Sequence, residues 1–147
     1  MIDQGHNQAT SSAEHMPLSM FKDKEQRDKF SPAAFKIFNE LRLNWAISDA
    51  EAHILLGDTP KPTFDKWKRS GAKSLNRDHL ERISLFIGAH KALQLLFASK
   101  GSAKRWLKSK NTDLPFCGLS PLDYILEGSM DRLYGLRRYL DAWRGGK

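Results

Sequence analysis

Residues 48–71 read SDAEAHILLGDTPKPTFDKWKRSG, and this stretch decides how the middle of the chain folds. Ser48 and Glu51 match a capping box, in which the serine side chain accepts a hydrogen bond from the third amide of the helix. The glutamate side chain in turn accepts one from the backbone amide of the serine. The pattern predicts a short helix over residues 49–56, which Gly57 ends.

A second helix is predicted directly after this turn. Thr59 is a common N-cap residue, and Pro60 fits the first helical position, so the helix should cover residues 60–69. Two short helices joined by a glycine turn have the form of a helix-turn-helix, whose second helix enters the major groove of DNA. A structural corner between two helices, without a role in DNA binding, is the alternative.

The polar side chains of this second helix and of the residues after it are candidates for contacts with DNA. Pro62 removes an amide that could bind a phosphate, and Asp65 puts a negative charge on the helix, so both count against DNA binding. We expect Lys61, Thr63 and Lys66 to face the bases, and Lys68, Arg69 and Lys73 to hold phosphates.

The rest of the chain predicts further helices and no strands, so the expected fold class is all-α. Ser31 and Pro32 predict the start of a first helix, with aromatic residues at helical spacing behind them. Residues 1–30 are polar, lack an apolar stripe and are expected to be disordered or loosely ordered. The other predicted helices cover residues 32–45, 77–98 with Asn76 as N-cap, 101–107 beginning at Gly101 and Ser102, 121–127 with Ser120 as N-cap, and 130–143 with Ser129 as N-cap.

Composition fits a small soluble protein of one or two helical units, because the chain has 147 residues with 40% apolar and 28% charged side chains. No apolar run approaches the roughly 20 residues of a membrane span. The single cysteine, Cys117, fits a reducing cytoplasm. The net charge of +7 is concentrated in residues 75–110, which suggests a polyanion or an acidic partner surface, but on charge alone a solvated face is the favoured interpretation.

Nothing in the sequence predicts catalysis, a metal site or a cofactor. None of the five histidines stands at metal-ligand spacing from a cysteine, an aspartate or another histidine. Cys117 has no histidine or aspartate companion in a nucleophile motif. A phosphate-binding glycine loop would need a preceding strand, and none is predicted. We therefore expect this chain not to be an enzyme.

The last third of the chain carries a resemblance to a known family. Arg105-Trp106-Leu107, Asn111, the segment FCGLSPLD over residues 116–123 and Gly128 stand in this order before an amphipathic helix. This order resembles the C-terminal toxin-binding domain of the Xre/MbcA/ParS antitoxins. The upstream residues 41–71 look like the Xre-type helix-turn-helix that usually precedes it. Asp58 departs from the family pattern, which prefers an aliphatic residue in that turn, and Phe116-Cys117 departs from its usual small or aliphatic residues.

The resemblance implies a helix-turn-helix domain over residues 31–98 and a toxin-binding domain over residues 99–147. It implies a partner, a RES-domain toxin that consumes NAD or transfers ADP-ribose from it, with the antitoxin blocking the NAD pocket. It also implies that antitoxin homodimers bind operator DNA of their own operon. A stand-alone helix-turn-helix regulator without a toxin is the alternative.

Toxin contacts are expected at the end of the last helix and in the tail, because arginine and tryptophan are common anchors of binding surfaces. A tail that merely frays, with the tryptophan packed back on the antitoxin, is the alternative. The expected contact residues are Arg137, Arg138, Trp143, Arg144 and Lys147.

Overall fold

The chain folds into seven α-helices over residues 23–145, the part that the computed structural model describes. That part contains no strand, which confirms the all-α fold class. None of its helices is long and apolar enough to cross a membrane. The helices are α1 (Lys24–Asn44), α2 (Asp49–Leu55), α3 (Lys61–Ser70), α4 (Arg77–Leu96), α5 (Lys100–Lys108), α6 (Pro121–Ile125) and α7 (Met130–Arg144).

The predicted start of the first helix at Ser31 and Pro32 is wrong. Helix α1 begins at Lys24, and the side chain of Asp23 caps it by accepting from the amide of Glu25. Residues 24–30, expected to be disordered or loosely ordered, are therefore helical, and residues 1–22 lie outside the described part.

Ser31 is a buried link between two parts of the chain instead of a helix cap. Its hydroxyl donates to the carbonyl of Arg27, at 2.7 Å, and accepts from the amide of Leu75, at 2.8 Å. Leu75 precedes α4, so this hydrogen bond ties α1 to the segment between α3 and α4. A contact 44 residues away cannot be read from the local Ser-Pro pattern, which is why the prediction failed.

Local caps set most of the other helix starts. Ser48 and Asn76 each form a complete capping box, while Ser120 and Ser129 accept amide hydrogen bonds, as predicted. Thr59 was expected to cap α3, but its hydroxyl donates to the carbonyl of Leu56 and the helix starts without a side-chain cap.

The other helix bounds that differ from their predictions do so by one or two residues. Helix α5 begins at Lys100, capped by the Ser99 hydroxyl, because glycine at the expected start has no side-chain acceptor. Helix α7 continues through Arg144, one residue beyond its predicted end.

Helix α4 lies at the centre of the fold and packs against α1 on one side and α7 on another. The ring of Phe38 on α1 meets Phe86 on α4 with centroids 5.2 Å apart. On the α7 side, Arg137 lies across Gly88, and its guanidinium occupies the space that a Cβ there would take. One continuous apolar core therefore includes helices from both predicted domains, and the boundary at residue 98 stays a prediction.

We predict that Ser31→Ala lowers the free energy of unfolding by about 1–3 kcal/mol, because the buried amide of Leu75 loses its acceptor. Chemical denaturation at neutral pH measures the loss. Ser70→Ala, at an exposed helix end, is the control and should stay within about 0.5 kcal/mol of wild type. Equal stability of the two variants would contradict the role of Ser31.

Candidate functional site

The turn between α2 and α3 is closed by hydrogen bonds to Thr59. Its hydroxyl donates to the carbonyl of Leu56 at 2.7 Å, and its carbonyl accepts from Nδ1 of His53 at 3.0 Å. Gly57 has φ 78° and Asp58 has φ 59°, a backbone region that glycine and aspartate tolerate better than most residues. The departure of Asp58 from the family pattern therefore fits the backbone of this turn.

His79, from the first turn of α4, completes this arrangement. Because the Thr59 hydroxyl donates its hydrogen bond to the carbonyl of Leu56, it accepts one from Nε2 of His79 at 3.2 Å. Nδ1 of His79 accepts from the amide of Asn76 at 3.2 Å. Both contacts require the neutral ring with its proton on Nε2. Burial lowers the pKa of His79, which favours this neutral form.

An ionic cluster fixes α3 against α2. Asp49, in the first turn of α2, pairs with Lys68 on α3 and with Arg42 on α1, the latter at 2.8 Å. The hydrogen bond from Lys68 is the main cause that lowers the pKa of Asp49, and burial opposes it. The same hydrogen bond raises the pKa of Lys68.

Lys68 was expected to hold a phosphate, but the structure engages it within the protein. Its ammonium pairs with Asp49 and lies 3.5 Å from Asp65, and it sits 5.5 Å from the ring centroid of Phe64. Sequence reasoning missed this role because Asp49 stands 19 residues away. Lys68 connects the two helices of the motif.

The other basic residues of this region point outward. Phe64 is buried and Trp67 packs edge-on against Phe35, at 5.6 Å, so α3 keeps its polar side in solvent. Thr63 is half-buried, and Lys61 lies 3.8 Å from Asp65 at the exposed surface. The exposed basic residues are Lys61, Lys66, Arg69 and Lys73.

A second feature is an aromatic cluster that joins α5, α7 and the loop before α6. Trp106 lies at its centre and stacks on Tyr139, with ring centroids 5.9 Å apart. Phe116 meets Trp106 and Tyr139 edge-on at 5.9 and 4.9 Å. Phe97, at the end of α4, closes the cluster against Trp106 and Trp143.

The Tyr139 hydroxyl donates to Oδ2 of Asp113 at 2.7 Å and so ties the loop to α7. Burial, followed by the hydrogen bond to Asp113, raises the pKa of Tyr139. Sequence reasoning missed this pair, because a loop aspartate 26 residues before a helical tyrosine gives no local signal. The loop also exposes Leu114 and Leu119, by 78% and 43%.

The residues predicted to contact a toxin differ in how far they are exposed. Trp143 packs on Phe97 and Trp106 through one side, while 45% of its surface stays exposed. Arg138 and Arg144 are exposed on α7, and Arg138 lies 5.9 Å from the ring of Tyr134.

Arg137 differs from its neighbours. It covers Gly88 and its Nε donates to Asp141 at 3.1 Å, so it belongs to the packing between α4 and α7. Lys147 lies outside the described residues.

A cavity of about 240 Å³ lies between the end of α1, the end of α4 and α5. Its walls are largely apolar and include Trp45, whose Nε1 donates to Nδ1 of His90 at 3.1 Å. Within residues 23–145 no three histidine, cysteine, aspartate or glutamate side chains stand together as a metal site.

Comparison with known proteins gives two family matches and one relative. The model of the antitoxin Xre-like helix-turn-helix domain matches residues 29–88. The model of the antitoxin Xre/MbcA/ParS C-terminal toxin-binding domain matches residues 92–146. The uncharacterized protein y4oB of Sinorhizobium fredii (strain NBRC 101917 / NGR234) is 37% identical over 115 residues, which cover 78% of this chain and 87% of y4oB. No solved structure matches the chain.

We predict that acid weakens the fold partly through His79. An unfolded histidine titrates near pH 6.5, and the folded pKa is lower, so below about pH 6.5 the unfolded chain binds more protons. The free energy of unfolding should therefore fall as the pH drops from 7 toward 5.

His79→Gln should reduce this pH dependence, because glutamine at the same position of a capping box can accept from the amide of Asn76 without titrating. Denaturation at several pH values measures the slope. A smaller slope should remain, since burial also lowers the pKa of His90. Identical slopes for wild type and variant would contradict the assignment.

Proposed function

Because this chain belongs to the family of Xre-type antitoxins, with a helix-turn-helix domain followed by a toxin-binding domain, we propose that it neutralises a partner toxin as the antitoxin of a type II toxin–antitoxin pair. The observation that carries this proposal is the presence of both family domains, in this order, over nearly all of the described chain. The proposal assigns no catalytic step to the antitoxin itself.

The proposed partner is a RES-domain toxin that consumes NAD or transfers ADP-ribose from it, and the proposed mechanism is obstruction of its NAD pocket. The end of α7 offers suitable chemistry, since the exposed part of Trp143 is a flat apolar surface and Arg138 and Arg144 are exposed cations. Aromatic and arginine side chains are enriched among residues that dominate binding energy. Trp143 would contact the toxin while packed on Phe97 and Trp106, so its side chain would lose little conformational entropy on binding.

The helix-turn-helix supports a second part of the proposal, binding of operator DNA by an antitoxin homodimer. Lys61, Lys66, Arg69 and Lys73 are exposed on or just after α3, where a recognition helix would meet DNA. Lys68 supports this surface indirectly by holding α3 against α2. A dimer would place two such helices on two half-sites.

We predict that replacing both Arg138 and Arg144 by alanine weakens inhibition of the toxin at least tenfold, because an anchor is typically worth about 2 kcal/mol or more. The assay follows NAD loss by the toxin as the antitoxin is titrated. This pair of changes spares the aromatic cluster, so circular dichroism and the unfolding midpoint should be unchanged. An inhibition constant equal to that of wild type would contradict the proposed contact surface.

Trp143 needs a matched pair of variants, because it both packs and faces solvent. Trp143→Phe keeps a ring beside Phe97 and Trp106, whereas Trp143→Ala removes it. We expect the alanine variant to inhibit the toxin much less well than the phenylalanine variant when both are fully folded at the assay temperature. Equal inhibition by the two would show that no ring is needed at this position.

The DNA part predicts that changing Lys61 and Lys66 to alanine weakens binding to the DNA upstream of the antitoxin gene. A lysine that faces the bases also lies close to the phosphates beside the groove, so if each of the two neutralises one phosphate, the slope of log affinity against log salt should fall by roughly 2. A gel-shift titration at several salt concentrations measures it, with the Arg138 and Arg144 double variant as control. Unchanged affinity would indicate that the helix-turn-helix is structural only, while neutralisation of the toxin should persist in either case.

A further inference from the structure

The positive charge of the chain is concentrated in a segment that lies after α2 and α3, the two helices of the helix-turn-helix motif. Residues 82–112 contain seven lysines and arginines and no aspartate or glutamate, and the remaining basic and acidic residues of the chain balance. Arg82 is engaged with Asp78 and with the carbonyl of Gly128. Five of the seven basic residues stand together on or just after α5: Lys100, Lys104, Arg105, Lys108 and Lys110.

The fold arranges these residues on the outer side of α5. Leu107 is buried and Trp106 packs into the aromatic cluster, which fixes the inward side of the helix. Lys100, Lys104 and Lys108 follow each other at intervals of four residues and so form one row along the helix. Lys100 and Lys108 are exposed and Lys104 is half-buried.

Among residues 23–145, Lys100, Lys104 and Lys108 form no ion pair, and the acidic groups of the neighbouring helix α4, Asp78 and Glu81, pair with Arg82 and Arg77. Asp113, the first acidic residue after the segment, accepts from Tyr139. Three like charges on successive turns repel one another mildly when nothing neutralises them. An anionic partner would relieve this repulsion.

The composition of the row favours a phosphate backbone over a protein surface. Protein interfaces are depleted in lysine at their centres and enriched in apolar and aromatic side chains. The outer side of α5 presents Lys100, Arg105 and Lys108 together with serine and glycine, and its tryptophan and leucine face inward. Lysine and arginine are the usual partners of DNA phosphates.

We propose that α5, although it belongs to the toxin-binding domain, is a second contact for the DNA backbone; this inference rests on the proposed binding of DNA by α3. Trp67 of α3 packs on His79 in the first turn of α4, whereas α5 follows the last turn of the same helix. The 20 residues of α4 span about 30 Å. One turn of the double helix measures roughly 34 Å, so a single duplex is long enough to reach both ends.

The test compares two triple variants of the full chain. Lys100→Gln, Lys104→Gln and Lys108→Gln remove three charges but keep most of each aliphatic stem, including that of Lys104 beside the cavity. Lys→Arg changes at the same three positions keep the charges and serve as the matched control. Binding is measured on the DNA upstream of the gene and on a random duplex of equal length, at 50 and 200 mM salt.

If all three lysines contact phosphates, the glutamine variant should reduce the salt slope by about 2.7 on both duplexes. Wild type should then lose about 40-fold more affinity than the glutamine variant over this fourfold rise in salt. The preference for the upstream DNA over the random duplex should not change, because phosphate contacts carry no base information. The arginine variant should behave like wild type.

A glutamine variant with the salt slope of wild type would overturn the proposal for α5. If that variant instead lost capture of the toxin, the row would belong to an acidic protein surface. If the wild-type protein showed no preference for the upstream DNA, the proposed binding of operator DNA by α3 would be wrong. A reduced salt slope of the glutamine variant would still support the contact between α5 and the DNA backbone. Absence of binding to both duplexes would overturn both proposals.

Discussion

The burial of α4 between α1 and α7 is the constraint on which the rest of the structure depends. At Gly88 the absence of a side chain leaves the space that the guanidinium of Arg137 occupies between α4 and α7. The early part of α4 supports the helix-turn-helix, through His79 and the Asn76 cap. Its end supports the aromatic cluster through Phe97. One helix therefore positions both the helix-turn-helix and the aromatic cluster.

Different kinds of contact fix the helix-turn-helix and the end of α7. Polar contacts fix α2 and α3, with Asp49 between Arg42 and Lys68 and with His79 against the turn. Apolar rings fix the end of α7, so Trp143 keeps a defined position while part of its surface faces solvent. The first arrangement leaves the outer lysines of α3 in solvent, where the proposed DNA contact needs them, and the second holds the ring of Trp143 where the proposed toxin contact needs it.

The sequence predicted what local chemistry determines and missed what distant contacts determine. Ser48, Asn76, Ser120 and Ser129 cap their helices because the acceptor and the amide it bonds stand three residues apart. Ser31 carries the same local signal, yet its hydroxyl bonds Leu75 across the fold and the helix begins earlier.

The same contrast between local and distant contacts applies to the candidate site residues. The exposure of Lys61 and Lys66 follows from the apolar stripe of α3, whereas the pairing of Lys68 with Asp49 depends on how α2 and α3 pack. Arg137 looked equivalent to Arg138 in the sequence, and only the close approach of α7 to Gly88 separates them.

The most direct measurement of the central claim is co-expression of this chain with the product of the neighbouring open reading frame, followed by affinity capture and a growth assay. If the chain is an antitoxin, the neighbouring product alone should stop growth, and co-expression should restore growth. The two proteins should also co-purify as a complex of fixed stoichiometry. Normal growth with the neighbouring product alone, together with failure of the two proteins to co-purify, would contradict the account and favour a stand-alone DNA-binding regulator.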